Sequence, residues 1–458
     1  MMLLSKAAQA LGAKMAGGDV RFASVSSDSR KVSKGDLFIA LRGENFDGAK
    51  FVASAAEDGA VAAMVNEDGF DGNAPCPLLL VKDTRLALGK LAAYWRSQFA
   101  IPVVGLTGSN GKTTVKEMLA AILSEATGSP ESVLATQGNL NNDIGMPLTL
   151  LRLNAGHRYA VIEMGMNHTG EIEYLARIAH PDVAIVNNAS GAHLAGLGTV
   201  EGVARAKGEI FSGLKENGTA AINGDDDYAP VWRKLAGERA VLEFGLNGSP
   251  SIFGQWRQQG FGVQIRVRTP QGEFTANLQV PGEHNVRNAL AATAAAVALH
   301  IPLDKIAGGL EKFGGVAGRL QRKEAKRGAA LIDDTYNANP SSMRAAINVL
   351  AQAPAKRIFV MGDMGELGTE AAQFHAEIGA YARQSGIQRL LALGELSRAA
   401  VREFGEGSQH FENVESLCAA LDSEMDTGVT VLVKGSRFMK MERVVSHCIQ
   451  GEKTCCSH

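Results

Sequence analysis

The hydrophobic positions of this chain fall into short unbroken runs, separated by stretches in which apolar residues recur every three or four places. Val103 to Leu106, Val161 to Met164, Val183 to Val186 and Ala220 to Ile222 read as strands, with helices predicted between them from Lys112, from Glu171 and from about Thr199. Such alternation implies a parallel sheet with right-handed crossovers. Gln264 to Arg268 and Phe274 to Val280 alternate with period two and carry charges, which predicts an antiparallel extension before an alanine-rich helix over Asn285 to Leu299. A glycine-rich hinge, Gly314 to Gly318, follows. The alternation then repeats through Ala330 to Ile332, Ile358 to Met361, Leu390 to Leu393 and Val429 to Val433, a second doubly wound unit. Ahead of both lie the apolar runs Leu37 to Leu41, Val61 to Val65 and Leu78 to Val81, divided by turn-rich pieces such as Arg42-Gly43-Glu44-Asn45. Asp83 to Phe99 has apolar residues at helical spacing and leads into the strand at Val103. The expected architecture is therefore α/β in three domains: a small α/β domain over 1–82, a central parallel-sheet domain over 83–314 and a C-terminal Rossmann-like domain over 315–458.

A length of 458 residues agrees with about three domains of ordinary size. No apolar run approaches the ~20 residues that a bilayer span requires, and Met1 to Gly12, interrupted by Lys6 and Gln9, reads as a short amphipathic helix rather than an export signal. Forty-six basic against 48 acidic residues lack the one-sided excess that drives binding to a phosphate backbone, so nucleic acid is not an expected partner. The five cysteines, Cys76, Cys418, Cys448, Cys455 and Cys456, show no metal-site spacing and are expected as reduced thiols in a cytoplasm. The 52 glycines cluster after the strand-like runs, which is where phosphate-binding loops form.

One such cluster is Thr107-Gly108-Ser109-Asn110-Gly111-Lys112-Thr113-Thr114, between a strand and a helix with apolar residues at Val115, Met118, Leu119, Ile122 and Leu123. Glycines let backbone amides turn toward phosphate, the helix N-terminus favours negative charge, Lys112 reaches the terminal phosphates and Thr113 offers a hydroxyl to Mg²⁺. The pattern is that of an ATP loop, although Leu106 stands where the longer motif has glycine. Glu163 closes its strand at the same sheet edge as a hard oxygen donor for Mg²⁺, or as a solvated strand-end carboxylate. Lys207 lies on the stripe Val200, Val203, Lys207, Phe211 and Leu214. Burial there favours a neutral amine unless the side chain snorkels out. Asn285 and Asn288, three apart at a helix start, present carboxamides the same way, suited to an adenine edge or to capping. His193, in a loop after the strand ending at Val186, is by itself an ordinary surface or packing residue.

The shortened loop T-G-x-x-G-K-T-T resembles that of the Mur ligase family, ATP-dependent amide-forming enzymes of peptidoglycan precursor synthesis and cell-wall biogenesis. Further strings resemble the family in order along nearly the whole chain: Thr136 to Gly145, Glu163-Met164-Gly165, Ala192-His193-Leu194, Ala206 to Ile210, Gly282 to Asn285 with Asn288, Gly318-Arg319 and Lys434 to Arg437. The resemblance implies ATP bound by residues 107–114, with Asn285 and Asn288 on the adenine and Arg319 and Asp334 meeting the nucleotide from the C-terminal domain. It implies two Mg²⁺ sites served by Thr113, Glu163, His193 and a carbamylated Lys207. Lys112, Lys207, His193 and Arg319 would then carry the catalysis.

Asp333 to Ser341 (DDTYNANPS) is similar to the branch of the family that joins D-alanyl-D-alanine to a UDP-N-acetylmuramoyl-tripeptide through an acyl phosphate. The absence of an Asp-Asn-Pro-Arg string speaks against the branch that adds diaminopimelate. Ser27, Asp28, Ser29 and Arg30 resemble the UDP-binding part of the first domain, although Ala49 stands where relatives often have histidine after Asp-Gly. Thr136, Asn139, Asn337 and Asn339 are the remaining expected substrate contacts, and a monomer is expected. Two other readings stay open: a tripeptide-forming or folylpolyglutamate-type ligase, and, of a different class, a non-catalytic nucleotide switch.

Overall fold

The computed structural model describes residues 1–43, 46–68, 74–191, 194–354 and 356–449; Glu44, Asn45, His193, Cys455 and Cys456 lie outside these. The central sheet has nine strands. Val103–Thr107 lies between Tyr159–Glu163 and Val183–Val186, with Val133–Ala135 at one edge. Thr219–Asn223 and Ala240–Gly245 continue on the other side, still parallel. Ile252–Gln259, Gly262–Thr269 and Gly272–Leu278 end the sheet as an antiparallel meander. The strand Ile252–Gln259 has no clear sequence signal, because Gln255, Arg257, Gln258 and Gln259 face solvent on a half-exposed ribbon. Strand Val103–Thr107 is flanked on both sides by strands that follow it in sequence, so the crevice beyond its carboxyl end is where such sheets hold ligands.

Successive residues of these strands enter different cores, as the pleat requires. Ala160, Ile162, Ala184, Val186 and Ile222 pack against the helices Thr84–Ser97, Glu171–Ala179 and Val200–Gly208. Val104, Leu106, Val161, Ile185 and Ala221 pack instead against Lys112–Thr127, Glu283–Ala298 and Leu303–Lys312. Helix Thr84–Ser97 starts where its pattern predicts, since the Asp83 carboxylate accepts from the amides of Arg85 and Leu86.

The N-terminal unit is a five-stranded sheet in the order Lys14–Ala16, Leu78–Val81, Ala62–Asn66, Asp36–Ile39, Ser24–Ser26. One of its faces, with Leu37, Ile39, Met64 and Leu79, joins the first of the two central cores; the other closes over Phe38, Val52 and Val65. The C-terminal unit is a six-stranded sheet in the order Gln321–Glu324, Ala330–Asp334, Val429–Lys434, Lys356–Gly362, Arg389–Leu393, Ser408–Phe411, parallel except for its first strand. Its cores on the two faces are distinct from the central ones, although Phe261, in the turn of the central meander, packs against one of them.

Helix Leu303–Lys312 lies backbone to backbone on Lys112–Thr127: a methyl group at Gly309 would fall 2.3 Å from Ile122 Cα. Gly309→Ala forces the two helices apart, and overpacking of this kind costs about 1–3 kcal/mol. Calorimetry should show a lower melting temperature for the variant, and an unchanged transition would mean that the helices yield without strain.

Candidate active site

The strand Val103–Thr107 is wholly buried and ends in a turn with no spare volume. Gly111 has φ 78°, in the left-handed region. A Cβ there would also lie 2.3 Å from Asn288 Oδ1 and 2.7 Å from Asn187 Nδ2, so glycine is required by conformation and by space. No side chain caps helix Lys112–Thr127, which leaves its first amides available to an anion. The amide of Asn110 donates to Asn188 Oδ1 (2.8 Å) and that of Ser109 to the Asn188 carbonyl (3.0 Å), fixing the remainder of the loop.

Two cations face this turn without a carboxylate partner among the described residues. Lys112 folds back so that Nζ donates to the Gly108 carbonyl at 2.6 Å, and burial lowers its pKa against the opposing pull of Glu163. Arg319, from the C-terminal side, donates through Nη2 to Thr113 Oγ1 (2.9 Å) and stacks on Tyr336 with 4.2 Å to the ring centroid, while its buried Nε has no partner. Unpaired cations beside open helix amides make an anion site.

Glu163 is the complementary group. It is 2% exposed and forms no ion pair among the described residues. Its Oε2 accepts from Thr113 Oγ1 at 2.9 Å, its Oε1 from Asn141 Nδ2 at 2.8 Å, and its own amide donates to Thr136 Oγ1 at 2.9 Å. A buried hydroxyl and carboxylate this close are hard oxygen donors that fit Mg²⁺, the phosphates and water completing its shell. Among the described residues, no three His, Cys, Asp or Glu side chains gather to bind a metal unaided. Lys207 is 1% exposed, and burial, reinforced by the charge of Lys112, holds its pKa well below the ordinary lysine value. Burial thus favours its neutral amine over the ammonium. His193 lies outside the described residues.

Across the crevice stands the C-terminal loop. Asp334 is buried, its Oδ2 2.6 Å from Lys434 Nζ and its Oδ1 accepting from the Leu320 amide. Burial raises its pKa although Lys434 opposes the shift. Lys434 Nζ also donates to the Asn337 carbonyl (2.9 Å), and Asn339 caps helix Pro340–Ala351 while its Nδ2 reaches Asn110 Oδ1 at 2.8 Å. The cleft enclosed between the central and C-terminal units measures about 1380 Å³; Lys112, Glu163, Asn139, Asn285, Asn288, Arg319, Asp334, Asn337 and Asn339 all line it.

Three sequence patterns of one family match this chain in order: the Mur ligase family catalytic domain over residues 21–96, the Mur ligase middle domain over 106–296, and the Mur ligase glutamate ligase domain over 318–437. The chain belongs to the Mur ligase family. Among Mur ligases, it is 44% identical over 457 residues to the UDP-N-acetylmuramoyl-tripeptide–D-alanyl-D-alanine ligase of Escherichia coli (strain K12), covering 99% of each chain. A crystal structure of MurF from Acinetobacter baumannii superposes with a TM-score of 0.89 at 38% identity, covering 96% of this chain and 97% of that one. The MurF ligase of Thermotoga maritima, solved in complex with ADP, superposes with a TM-score of 0.81 at 29% identity over 93% and 96% of the two chains. The architecture is the three-domain α/β arrangement of these Mur ligases.

Some of the expected site residues stand apart from this cleft. Ser27, Asp28, Ser29 and Arg30 lie on the first domain away from its lining, and Asp28 and Arg30 pair with each other at 2.9 and 3.0 Å around a single 3₁₀ turn. Thr136 is 1% exposed, its hydroxyl occupied by the Glu163 amide and its carbonyl by Lys116 Nζ (2.5 Å), so it supports Glu163 from behind. Sequence reasoning also passed over Asn187, Asn188 and Asn223. Each follows or ends a buried apolar run at the carboxyl edge of the sheet, and a polar amide in that place was the available signal.

His284 sits half-buried at the start of helix Glu283–Ala298, and burial, then the charges of Lys434 and Arg287, lower its imidazole from 6.5 to about 4. The unfolded chain takes up that proton first. The contribution is therefore fully present above pH 6.5 and is lost as pH falls toward 4. His284→Gln should flatten the dependence of melting temperature on pH across this window, and an unchanged slope would assign it to other groups.

Proposed function

We propose that this chain joins D-alanyl-D-alanine to a UDP-N-acetylmuramoyl-tripeptide with ATP, and that its cleft carries the reaction. What carries this reading is the opposition, across one cleft, of the phosphate turn, with Lys112 and the facing Arg319 lacking a carboxylate partner among the described residues, and the Asp334–Asn339 loop. The E. coli relative, which the chain matches over 99% of its length, bears that activity in its name. On this reading residues 107–114 cradle the phosphates of ATP, Asn285 and Asn288 hold the adenine, and Thr113 and Glu163 hold Mg²⁺, which when bound neutralises phosphate charge. Lys112 donates to the terminal phosphate as it passes to the tripeptide carboxylate, and Arg319 brings a second positive charge from the C-terminal domain. The amine of D-alanyl-D-alanine then displaces phosphate from the acyl phosphate, guided by Asn337 and Asn339. Ser27 to Arg30, on the 1–82 domain, meet the UDP end, far from the chemistry. Asn139 contacts the peptide, with Thr136 behind it. We also read the enzyme as a cytoplasmic monomer; no helix among the described residues is long and apolar enough to cross a membrane.

Lys207 is the second part of the proposal. A neutral lysine amine adds to CO₂ and loses a proton, which yields a carbamate, and the burial that lowers the pKa of Lys207 favours that neutral form. The carbamate and His193 would serve a second Mg²⁺. Lys207→Ala should be inactive, and short carboxylic acids that fill the vacated space should restore part of the rate. Bicarbonate-replete wild-type enzyme should show the added mass of a carbamate under non-acidic conditions, and full activity of Lys207→Ala without any added acid would refute this role.

The reaction itself is tested by ADP release with ATP and each substrate alone or together. Rapid release only when UDP-tripeptide and D-alanyl-D-alanine are both present is the expected result. Lys112→Ala should then lose at least about a thousandfold in rate, since a charge-assisted contact to the transferring group is gone. ATP turnover indifferent to both substrates would support a nucleotide switch, and preference for glutamate with folate, or for diaminopimelate with a UDP-dipeptide, would move the enzyme to another branch.

A further inference from the structure

Asn187 is 1% exposed and does not line the cleft, yet it touches both ends of the nucleotide site. Its Nδ2 donates to the Asn110 carbonyl (3.0 Å) in the phosphate turn and to Asn288 Oδ1 (2.9 Å). Asn288 Nδ2 donates to Asn285 Oδ1 (3.2 Å), and Asn285 Nδ2 to the Pro281 carbonyl (2.8 Å). The two ends of this chain of amides are main-chain carbonyls, which only accept. The amino group of Asn187 must therefore face Asn110, and that of Asn285 must face Pro281. Asn288, between them, has one orientation left that satisfies both neighbours: oxygen toward Asn187 and nitrogen toward Asn285. The backbone of Asn187 is itself fixed, its amide donating to the Thr107 carbonyl and its carbonyl accepting from Asn223 Nδ2 (2.9 Å). Its Oδ1 is buried without a partner among the described residues, a cost that the fold retains in order to keep the amino group where it is.

We propose that Asn187 is a positioning residue that, together with Asn285, sets the direction of the Asn288 carboxamide, and through it the preference for adenine over a base with a carbonyl in place of the amino group. This rests on the reading above that Asn285 and Asn288 meet the base. Reversing Asn288 exchanges its free donor and acceptor positions, so the cleft then presents the wrong edge to adenine. Asn187→Asp preserves size but cannot donate to Asn288 Oδ1 or to the Asn110 carbonyl, so neither orientation of Asn288 then satisfies both residue 187 and Asn285, and its direction is no longer fixed.

The experiment compares kcat/KM for ATP and inosine triphosphate in the wild type, Asn187→Asp, Asn187→Ser and Asn288→Ala, with melting temperatures measured alongside. The ratio of the two nucleotides removes any common effect of the added charge on phosphate binding or of lowered stability on active concentration. The wild type should prefer ATP, and the preference should fall about tenfold in both Asn187 variants, chiefly through the KM for ATP. In the Asn288→Ala background, Asn187→Ser should change the ratio no further. A preference unchanged within twofold in a folded Asn187 variant overturns the proposal. Should Asn187→Asp fail to fold, Asn187→Ser decides it. Should the wild type itself not distinguish the two nucleotides, the reading of Asn285 and Asn288 as base contacts fails first, and this proposal with it.

Discussion

The turn from Thr107 to Lys112 must pass its backbone between two asparagine side chains, and the site is arranged around that constraint. Asn187 and Asn288 close on Gly111 so tightly that no side chain fits. That closure points the open amides of the following helix out of the sheet edge. It also brings the strand end at Glu163 level with Thr113, so hydroxyl and carboxylate meet at 2.9 Å. A looser turn would leave the same residues present but unaligned, and a loss of about an ångström is enough to lower catalytic power substantially.

The charges around that turn are unbalanced by design of the fold. Among the described residues Lys112 and Arg319 lack carboxylate partners and Glu163 lacks a cation, all three lining one cleft, while burial and the charge of Lys112 lower the pKa of Lys207. Burying such groups singly is costly, and a nucleotide with its metal offsets the cost by supplying the opposite charges. Away from the cleft the protein pairs buried charges in the ordinary way, as Asp333 with Lys323. The contrast separates groups held for a ligand from groups held for the fold.

The three units are joined by different forces. The first sheet shares a hydrophobic core with the central one, an attachment that cannot open without exposing apolar surface. The C-terminal unit has its own cores, with only Phe261 of the central meander among the described residues packed against one of them, and meets the phosphate turn through Arg319, Asn339 and their hydroxyl and amide partners. Polar contacts exchange readily for water. Movement about the glycine-rich segment 314–318 therefore costs far less than movement of the first domain, which suits a site whose two halves come from either side of that segment.

Residues close together in the sequence were the legible ones. Strand Val183–Val186 and the start of helix Lys112–Thr127 follow from apolar period and glycine placement, because the physics that sets them acts within a few residues. The burial of Lys207 was legible for the same reason, from one helical stripe. The ribbon strand Ile252–Gln259 was not, since its partners across the sheet, rather than its own composition, make it a strand. Nor could sequence separate Ser27 to Arg30, which fold back on themselves, from Asn187, which holds the Asn110 carbonyl of the phosphate turn at 3.0 Å from 77 residues away, and Asn223, which holds Asn187 in turn. By itself the sequence determined which segments become strands and helices and which residue types the nucleotide chemistry requires. Only the tertiary structure decided which amide faces which carbonyl, because hydrogen-bond direction is fixed by partners that the chain brings together only when the sheet closes.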